Sequence, residues 1–226
     1  MFVGHLAVGV ALKALSPKTP TFPIVMGVCV LDVLNGLFVM IGIDRARPDL
    51  ASGPYMFFDL VFIDWDHSLL MAVVIACLWA WWYRADRRTA LLAGLAVFSH
   101  FLGDWPVHNN DLALYPYAGA HLGLGLWERL GTAAWALEGA FSVALLGFAA
   151  WRMRRWGVSL RWPCSLLALA YFSVSPWLSP LRLAAQLPEP WPHLLLGGMT
   201  LLSFVLLGAL VTRLIDRETT LAIRPV

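Results

Sequence analysis

Two histidines and an aspartate stand at helical spacing in the stretch FSHFLGDWPVHNND, residues 98–111. His100, Asp104 and His108 are four residues apart, and side chains four residues apart share one face of an α-helix. Imidazole nitrogens and carboxylate oxygens are good ligands for zinc. We therefore predict that His100 and Asp104 bind one divalent cation together. Because proline disfavours a helix, a turn at Pro106 is expected to direct His108 towards a second ion.

More ionisable side chains lie within or beside the apolar segments of the sequence. An ionisable group inside a membrane is costly and by default marks a functional site. Several such groups at a similar depth on different segments are best explained by a shared cation. We therefore predict that they converge on one metal site. The further candidates are His5, Asp32, Asp64, Asp66, His67, His121 and Glu138.

Several of these residues also admit an ordinary structural interpretation. His5 fits a surface or helix-capping role, and Asp66 fits the cap of the helix that follows it. Asp32 could instead form a hydrogen bond with Asn35 one turn along the same segment. Asp111 stands close to the predicted membrane surface, where we expect it to be solvated. From the sequence these alternatives stay open.

The composition of the chain is that of an integral membrane protein. Of its 226 residues 60% are hydrophobic and only 13% are charged, and the mean hydropathy is +0.71. A soluble domain carries about 25% charged residues. The net charge of +2 is too small to indicate a nucleic-acid partner. The three cysteines lie far apart, so neither a disulfide framework nor a zinc knuckle is predicted.

Seven apolar segments predict an all-α polytopic membrane helix bundle with about seven transmembrane segments. Most are close to the ~20 residues that cross the hydrocarbon core. The segments cover residues 2–16, 21–43, 67–83, 89–107, 131–151, 162–180 and 194–213. We predict a single domain over residues 1–226, in which 1–150 form the metal-site core and 151–226 add two transmembrane helices.

The distribution of basic residues predicts the orientation of this bundle. Twelve of the sixteen Lys and Arg residues fall in connections on one side. Positive residues favour the inside of a membrane, so the N-terminus is predicted outside and the C-terminus inside. In this orientation all the candidate ligands except Asp32 fall in the outer half of the bundle or outside it.

Four short motifs carry a resemblance to a known family. In chain order they are GHLAVGVAL, LDVLNG, DHSLL and SHFLGDW, and they resemble the motifs of the bacterial inner-membrane metal-dependent hydrolase family. That family is related to the superfamily of zinc-dependent phospholipases C and single-strand nucleases, in which a helix carries His-x-x-Gly-Asp followed by a further His. His100, Gly103, Asp104 and His108 match this pattern. The resemblance covers roughly residues 1–140.

The resemblance implies a set of metal ligands and a location. One to three Zn²⁺ ions are expected, although Mn²⁺ or Fe²⁺ also fits ligands of this chemistry. It places the site in the bacterial inner membrane, facing the periplasm. The implied ligands are His5, Asp32, His67, His100 and Asp104, with His108, His121 and Glu138 or Glu128 completing a second ion.

The chemistry that fits such a site is metal-assisted hydrolysis of a phosphoester. Asp64 or Asp66 is the predicted general base. Arg45 and Arg47, in an outer loop, are candidates to hold the phosphate. The predicted substrate is a phospholipid or a polyprenyl-type phosphate, which offers its headgroup to the metal while its tail stays in the membrane.

Two other functions are compatible with the same residues. A ladder of histidines and aspartates can serve as a relay in a transporter of metal ions or protons, which predicts polar groups that continue through the bundle. A membrane scaffold with a purely structural metal is the other reading, and it predicts a closed site with no open coordination position.

Overall fold

The computed structural model describes residues 1–223, and these form eleven α-helices and one β-hairpin. Arg224, one of the basic residues counted on the inner side, lies outside the described residues. The elements in chain order are α1 (Val3–Leu15), α2 (Thr21–Gly27), α3 (Val30–Ile41), β1 (Arg45–Pro48), β2 (Phe58–Phe62), α4 (Asp64–His67), α5 (Leu69–Trp82), α6 (Arg87–Val107), α7 (Leu126–Leu130), α8 (Thr132–Arg154), α9 (Arg161–Ser173), α10 (Leu181–Ala184) and α11 (Trp191–Ile223).

The predicted all-α class is confirmed, and helices that could span a membrane are present. Among the described residues, α6, α8 and α11 are long and apolar enough to cross a membrane. The pair α2 and α3 would make a fourth span if it is counted as one broken crossing. The apolar helices α1 and α5 are shorter, at 13 and 14 residues. Seven crossings and the orientation of the bundle remain predictions.

The second apolar segment is broken, where the sequence predicted one continuous helix. The axes of α2 and α3 are bent by 50°. At the break the backbone carbonyl of Val28 accepts a hydrogen bond from Nδ1 of His100, over 2.7 Å. Irregular backbone at membrane depth is tolerated where the surrounding protein satisfies its polar groups. The break therefore places Asp32 in the first turn of α3, next to the histidine of another helix.

Helix α6 carries the central motif and continues through its proline. Its N-terminus is capped by Asp86, whose side chain accepts from the backbone N–H groups of Arg88 and Thr89. The predicted turn at Pro106 is wrong, because the helix runs to Val107. Pro106 lies in the last turn and removes only its own N–H, and the N–H of His108 still donates to the carbonyl of Asp104, over 2.8 Å. His108 thus stays close to Asp104.

Helix α11 packs along α3 at a close contact between two glycines. A Cβ atom placed on Gly36 would lie 2.6 Å from the carbonyl oxygen of Gly197 and 2.6 Å from the backbone nitrogen of Leu201. Helices in membranes approach this closely where small residues face each other. The contact fixes α11 against the helix that carries Asp32.

The hairpin was not predicted from the sequence. Strands β1 and β2 are antiparallel, with Arg45 opposite Phe62 and Arg47 opposite Asp59. The hairpin connects α3 to the single turn of α4, which ends at His67. The hairpin therefore helps to position His67 beside His100 and Asp104 of α6.

Candidate metal centre

His5, His100 and Asp104 form a buried group at the centre of the bundle. Nε2 of His5 lies 2.9 Å from Oδ1 of Asp104, and Nε2 of His100 lies 3.0 Å from its Oδ2. The two imidazole rings are stacked, with their centroids 3.6 Å apart. The α-amino group of Met1 also contacts Oδ1 of Asp104. One ligand atom from each of the three side chains can be chosen so that all lie within 4.8 Å of one another.

A second group shares His100 with the first. Nε2 of His100 is 3.5 Å from Oδ2 of Asp32, and Nε2 of His67 is 3.7 Å from Oδ1 of Asp32. His67 also lies 3.7 Å from Oδ2 of Asp104. The structure thus brings together His5, Asp32, His67, His100 and Asp104, which come from the four helices α1, α3, α4 and α6.

Several polar atoms of this cluster are buried without a hydrogen-bond partner, which is costly in a protein interior. They are Nδ1 of His5, Nε2 of His100, Oδ2 of Asp32 and Oδ2 of Asp104. Nε2 of His100 and Oδ2 of Asp104 lie only 3.0 Å apart, but their orientation does not form a hydrogen bond. Two ligands of a tetrahedral zinc ion lie about 3.3 Å apart, since each is about 2.0–2.1 Å from the metal. Lone pairs that converge at 3.0–3.7 Å therefore fit a divalent cation.

Two of the histidines are oriented by partners behind their rings. Nδ1 of His67 lies 2.9 Å from Oδ1 of Asp66, and Nδ1 of His100 bonds the carbonyl of Val28. A proton on Nδ1 satisfies each of these oxygen acceptors, which leaves the lone pair on Nε2 directed at the cluster. Metal-binding histidines in proteins are held in this way.

Asp44 stands behind Asp66 and was not anticipated from the sequence. Its carboxyl group is only 1% exposed and accepts a hydrogen bond from the amide of Asn35, over 3.1 Å. Burial, together with the neighbouring carboxylate of Asp66, raises the pKa of Asp44 to about 9. Two neighbouring buried carboxyl groups avoid carrying a charge each, so a proton held by Asp44 can be donated to Asp66. The amide of Asn35 therefore binds Asp44. The structural interpretation of the sequence, in which Asn35 binds Asp32, is wrong.

The two predicted general bases do not line the cavity beside the cluster. Asp66 is fully buried behind His67, and burial raises the pKa of its carboxyl group well above the usual value. Asp64 accepts a hydrogen bond from the backbone N–H of Tyr117, over 2.7 Å. The alternative of Asp66 as a helix cap is also wrong, because Ser68 caps α5. Asp66 instead orients His67.

His108 and Asp111 form a pair at the edge of the cluster. Nδ1 of His108 lies 3.2 Å from the Asp111 carboxylate, and its Nε2 lies 3.6 Å from Asp104. His108 belongs to neither of the two ligand groups. The expectation of a solvated Asp111 is wrong, because it is only 8% exposed and packs at the imidazole. Its position three residues after a motif histidine was the signal available in the sequence.

Glu138 holds the start of α1 instead of joining the ligand groups. Its carboxylate accepts hydrogen bonds from the backbone N–H groups of Phe2 and Gly4 and from the hydroxyl of Tyr55, over 2.7–3.0 Å. The first N–H groups of a helix have no partner within the helix, and a carboxylate there also favours the helix dipole. Glu138 thereby fixes the helix turn that carries His5.

We expect Glu138→Ala to lower the free energy of unfolding by about 3 kcal/mol or more, because it leaves buried donors unsatisfied that were bonded to a charged group. Thermal unfolding of the detergent-purified protein measures the loss. Glu138→Gln, which keeps an acceptor oxygen, should be much closer to wild type, and Glu128→Ala, at an exposed position, should have no effect. A Glu138→Gln variant of normal stability that had lost bound metal would contradict this role and make Glu138 a ligand.

The remaining candidates lie away from the cluster. His121 is exposed, and its backbone pairs with Ala113 in an isolated bridge. Arg45 and Arg47 are exposed on β1, and the guanidinium of Arg45 lies over the ring of Phe62 at 5.2 Å. The structure therefore does not bring these three residues into the metal centre.

A cavity of about 540 Å³ opens directly beside the cluster. Asp32, His67 and His108 are among the residues that line it, and most of the lining is apolar. Its volume is that of a site for one small ligand. A molecule in this cavity would meet the second ligand group and His108 together.

No family model, no curated protein and no solved structure matches this chain.

Proposed function

We propose that the chain is a membrane-embedded, metal-dependent hydrolase that cleaves a phosphoester of an amphiphilic substrate at the outer face of the membrane. The main support is that His5, Asp32, His67, His100 and Asp104 form two adjoining ligand groups that share His100, with buried polar atoms that lack partners. Carboxylate and imidazole together suit zinc, and Mn²⁺ or Fe²⁺ fits the same donors. We propose one to three ions, held by the two groups that share His100.

A divalent cation bound there would supply Lewis acidity, which acidifies water and stabilises charge on phosphoryl oxygens. The chain itself supplies orientation and proton transfer. Asp66, backed by the protonated Asp44, holds His67 in the tautomer that presents Nε2. His108 lines the cavity with Asp111 behind its Nδ1. We assign His108 the role of general base or acid, taking a proton from water or giving one to the leaving group.

The position of the cluster supports an amphiphilic substrate. Three helices within residues 1–223 are long and apolar enough to cross a membrane, and the cavity beside the cluster is mostly apolar. We propose seven crossings with the N-terminus outside, and a location in the bacterial inner membrane with the site facing the periplasm. The exposed Arg45 and Arg47 on the hairpin would then meet headgroups at the membrane surface. Membership of the inner-membrane metal-dependent hydrolase family is part of this proposal.

The apolar core beside the cluster supports hydrolysis over a relay of ions or protons. Below His5, helix α1 buries Leu6, Val10 and Ala14 against Ile24 and Val25 of α2. A relay needs polar groups that continue through the bundle. Among residues 1–223, the buried side chains of α1 between His5 and Lys13 are apolar, and the next buried polar group on this helix, Lys13, donates to the carbonyls of Pro17 and Thr19. A site that receives its substrate from one side accounts for this arrangement.

Metal content and lipid phosphate release test the proposed function together. We expect the detergent-purified chain to contain tightly bound zinc, manganese or iron by mass spectrometry. We also expect it to release phosphate or a phosphorylated headgroup from vesicles of phosphatidylglycerol or from a polyprenyl phosphate. A chelator should abolish the release, and added metal should restore it, because the Lewis acid is essential. Asp216→Asn, on α11 next to Thr21, is the control and should behave as wild type. Purified protein without metal, or release that a chelator leaves unchanged, would contradict the proposal.

A further inference from the structure

The cavity beside the metal centre continues as a groove between α9 and α11. On α11 it is lined by Leu196, Thr200, Ser203, Leu207 and Leu210, which follow one another at three- or four-residue spacing. Such residues lie on one face of a helix. On α9 the lining includes Leu166 and Ala170. We call this lining the tail groove. It belongs to the part of the chain, residues 151–226, that the motifs of the metal centre do not reach.

The length of the tail groove suits a hydrocarbon chain. Leu196 and Leu210 are fourteen residues apart on α11, which corresponds to about 21 Å at a rise of 1.5 Å per residue. One leaflet of a membrane has a hydrocarbon thickness of about 15 Å, half of the ~30 Å core. Gly36 packs at Gly197 and Leu201, and Gly208 lies against Met26 and Cys29, so Asp32 stands beside the middle of this stretch. The lining therefore reaches about 10 Å from Asp32 towards either end, which suits the part of a lipid chain nearest its headgroup.

The groove is open towards the surrounding lipid. Leu169 and Leu206 line it and are 71% and 56% exposed. Both lie on the helices α9 and α11, and the exposed face of α11 is that of a membrane-crossing helix. A chain can therefore enter the groove sideways from the membrane. The polar side chains of Asp32, His67 and His108 line the same cavity.

We propose that the tail groove holds the hydrocarbon chain of a phosphate-bearing amphiphile while the phosphate lies at Asp32, His67 and His108. This inference rests on the proposed function and gives its substrate class: a phosphate on at least one long chain, either straight or isoprenoid. The apolar lining and the cationic site that the ligand cluster would form beside it match the two parts of such a molecule. The assignment gives α9 and α11 a function in the enzyme.

The groove orients the substrate but adds little to its binding free energy. In a membrane the lipid chain moves from the surrounding lipid into an equally apolar groove. Burial in the groove therefore gains little hydrophobic free energy. Holding the chain in one place instead brings the headgroup into a fixed orientation at the reacting groups. An experiment must therefore measure where the chain lies.

Photo-crosslinking measures this position. The probe is hexadecyl phosphate with a diazirine in the half of its chain nearer the phosphate, added to the full-length protein in phosphatidylcholine nanodiscs. We expect the crosslinks to map to residues 166–174 of α9 and 196–210 of α11. Ser203→Trp should lower this labelling by about tenfold, because the indole overfills the groove. Leu202→Trp is the matched control, since Leu202 is on the same helix, 55% exposed and outside the groove lining, and it should label as wild type.

A second variant and a second probe complete the design. Thr200→Trp should act as Ser203→Trp does, and only variants with wild-type metal content and a single monomeric peak in gel filtration are compared. A geranylgeranyl phosphate with the same diazirine distinguishes an isoprenoid chain from a straight one, and labelling of the groove by either supports the proposal. Equal labelling of the groove and of the outer lipid-facing surface, or labelling that neither Trp variant lowers, would overturn it. Crosslinks between two copies of the chain through α9 and α11 would also overturn it, since a second copy would then fill the groove.

The outcome is separable from that of the proposed function. If the protein binds no metal but the Trp variants still lower groove labelling, the hydrolase proposal fails and the chain-binding groove stands. If zinc-dependent phosphate release is found and groove labelling is absent, the groove proposal fails and the hydrolase stands.

Discussion

Asp104→Asn is expected to abolish metal binding at the proposed centre while leaving the fold intact. Its carboxylate contacts all four histidines of the cluster: Oδ1 faces His5 and His108, and Oδ2 faces His100 and His67. Asparagine has nearly the same shape, but it removes the negative charge and replaces one oxygen by an amide nitrogen that does not bind zinc. Loss of a partner outside the ligand set typically lowers metal affinity 10–100-fold. We therefore expect the loss of a ligand shared by both groups to exceed about 100-fold.

Two measurements test this expected loss of metal binding and distinguish it from misfolding. Mass spectrometry of the dialysed protein reports metal content. Thermal unfolding with and without added zinc reports binding, since metal at 1,000 times its dissociation constant stabilises the native state by about 4 kcal/mol. Wild type should show this stabilisation and Asp104→Asn should not, while the two should unfold at similar temperatures in chelator.

Asp111→Asn is the matched control for this experiment. It makes the same change at a buried carboxylate seven residues further on, which contacts His108 but belongs to neither ligand group. Its metal content should equal that of wild type. If Asp104→Asn retained the full metal content, the cluster would not be a metal centre and the proposed hydrolase would fall with it.

The sequence predicts which side chains cluster better than it predicts the backbone that positions them. His100 and Asp104 follow from helical spacing alone, and the cost of burying ionisable groups in a membrane points to His5, Asp32 and His67. Periodicity does not show the break at residues 28–29, because both sides of it are equally apolar. What stabilises the break is the imidazole of His100, 72 residues away.

Charges whose partners are distant in sequence were the hardest to assign. Glu138 was predicted as a ligand because it is an acid at membrane depth, but its partners are the N–H groups of Phe2 and Gly4, more than 130 residues away. Asp44 follows a helix in an ordinary loop position, and only the hairpin brings it beside Asp66. In each case burial and hydrogen bonding depend on the tertiary fold, which one sequence does not contain.

His108→Gln is expected to separate catalysis from metal binding. The sequence predicted His108 as a ligand of a second ion, whereas the structure places it against Asp111, at the rim of the cavity and outside both ligand groups. A residue that transfers a proton typically contributes 10²–10⁴-fold to the rate. We therefore expect kcat for lipid phosphate release to fall by about 10²–10⁴-fold, with little change in KM and full metal content. A fall in kcat at constant KM is the mark of an interaction made only in the transition state.

His193→Gln provides the control for the chemistry of the substitution. His193 lies on α11 and contacts Glu189 and the carbonyl of Ala46, outside the cavity, so its replacement should change neither metal content nor rate. If His108→Gln instead lost about one equivalent of metal, His108 would be a ligand, as the sequence predicted, and proton transfer would need another group. The cavity offers few replacements, because Asp64 and Asp66 do not line it. Metal content in this one variant therefore decides between a histidine that binds the ion and a histidine that moves the proton.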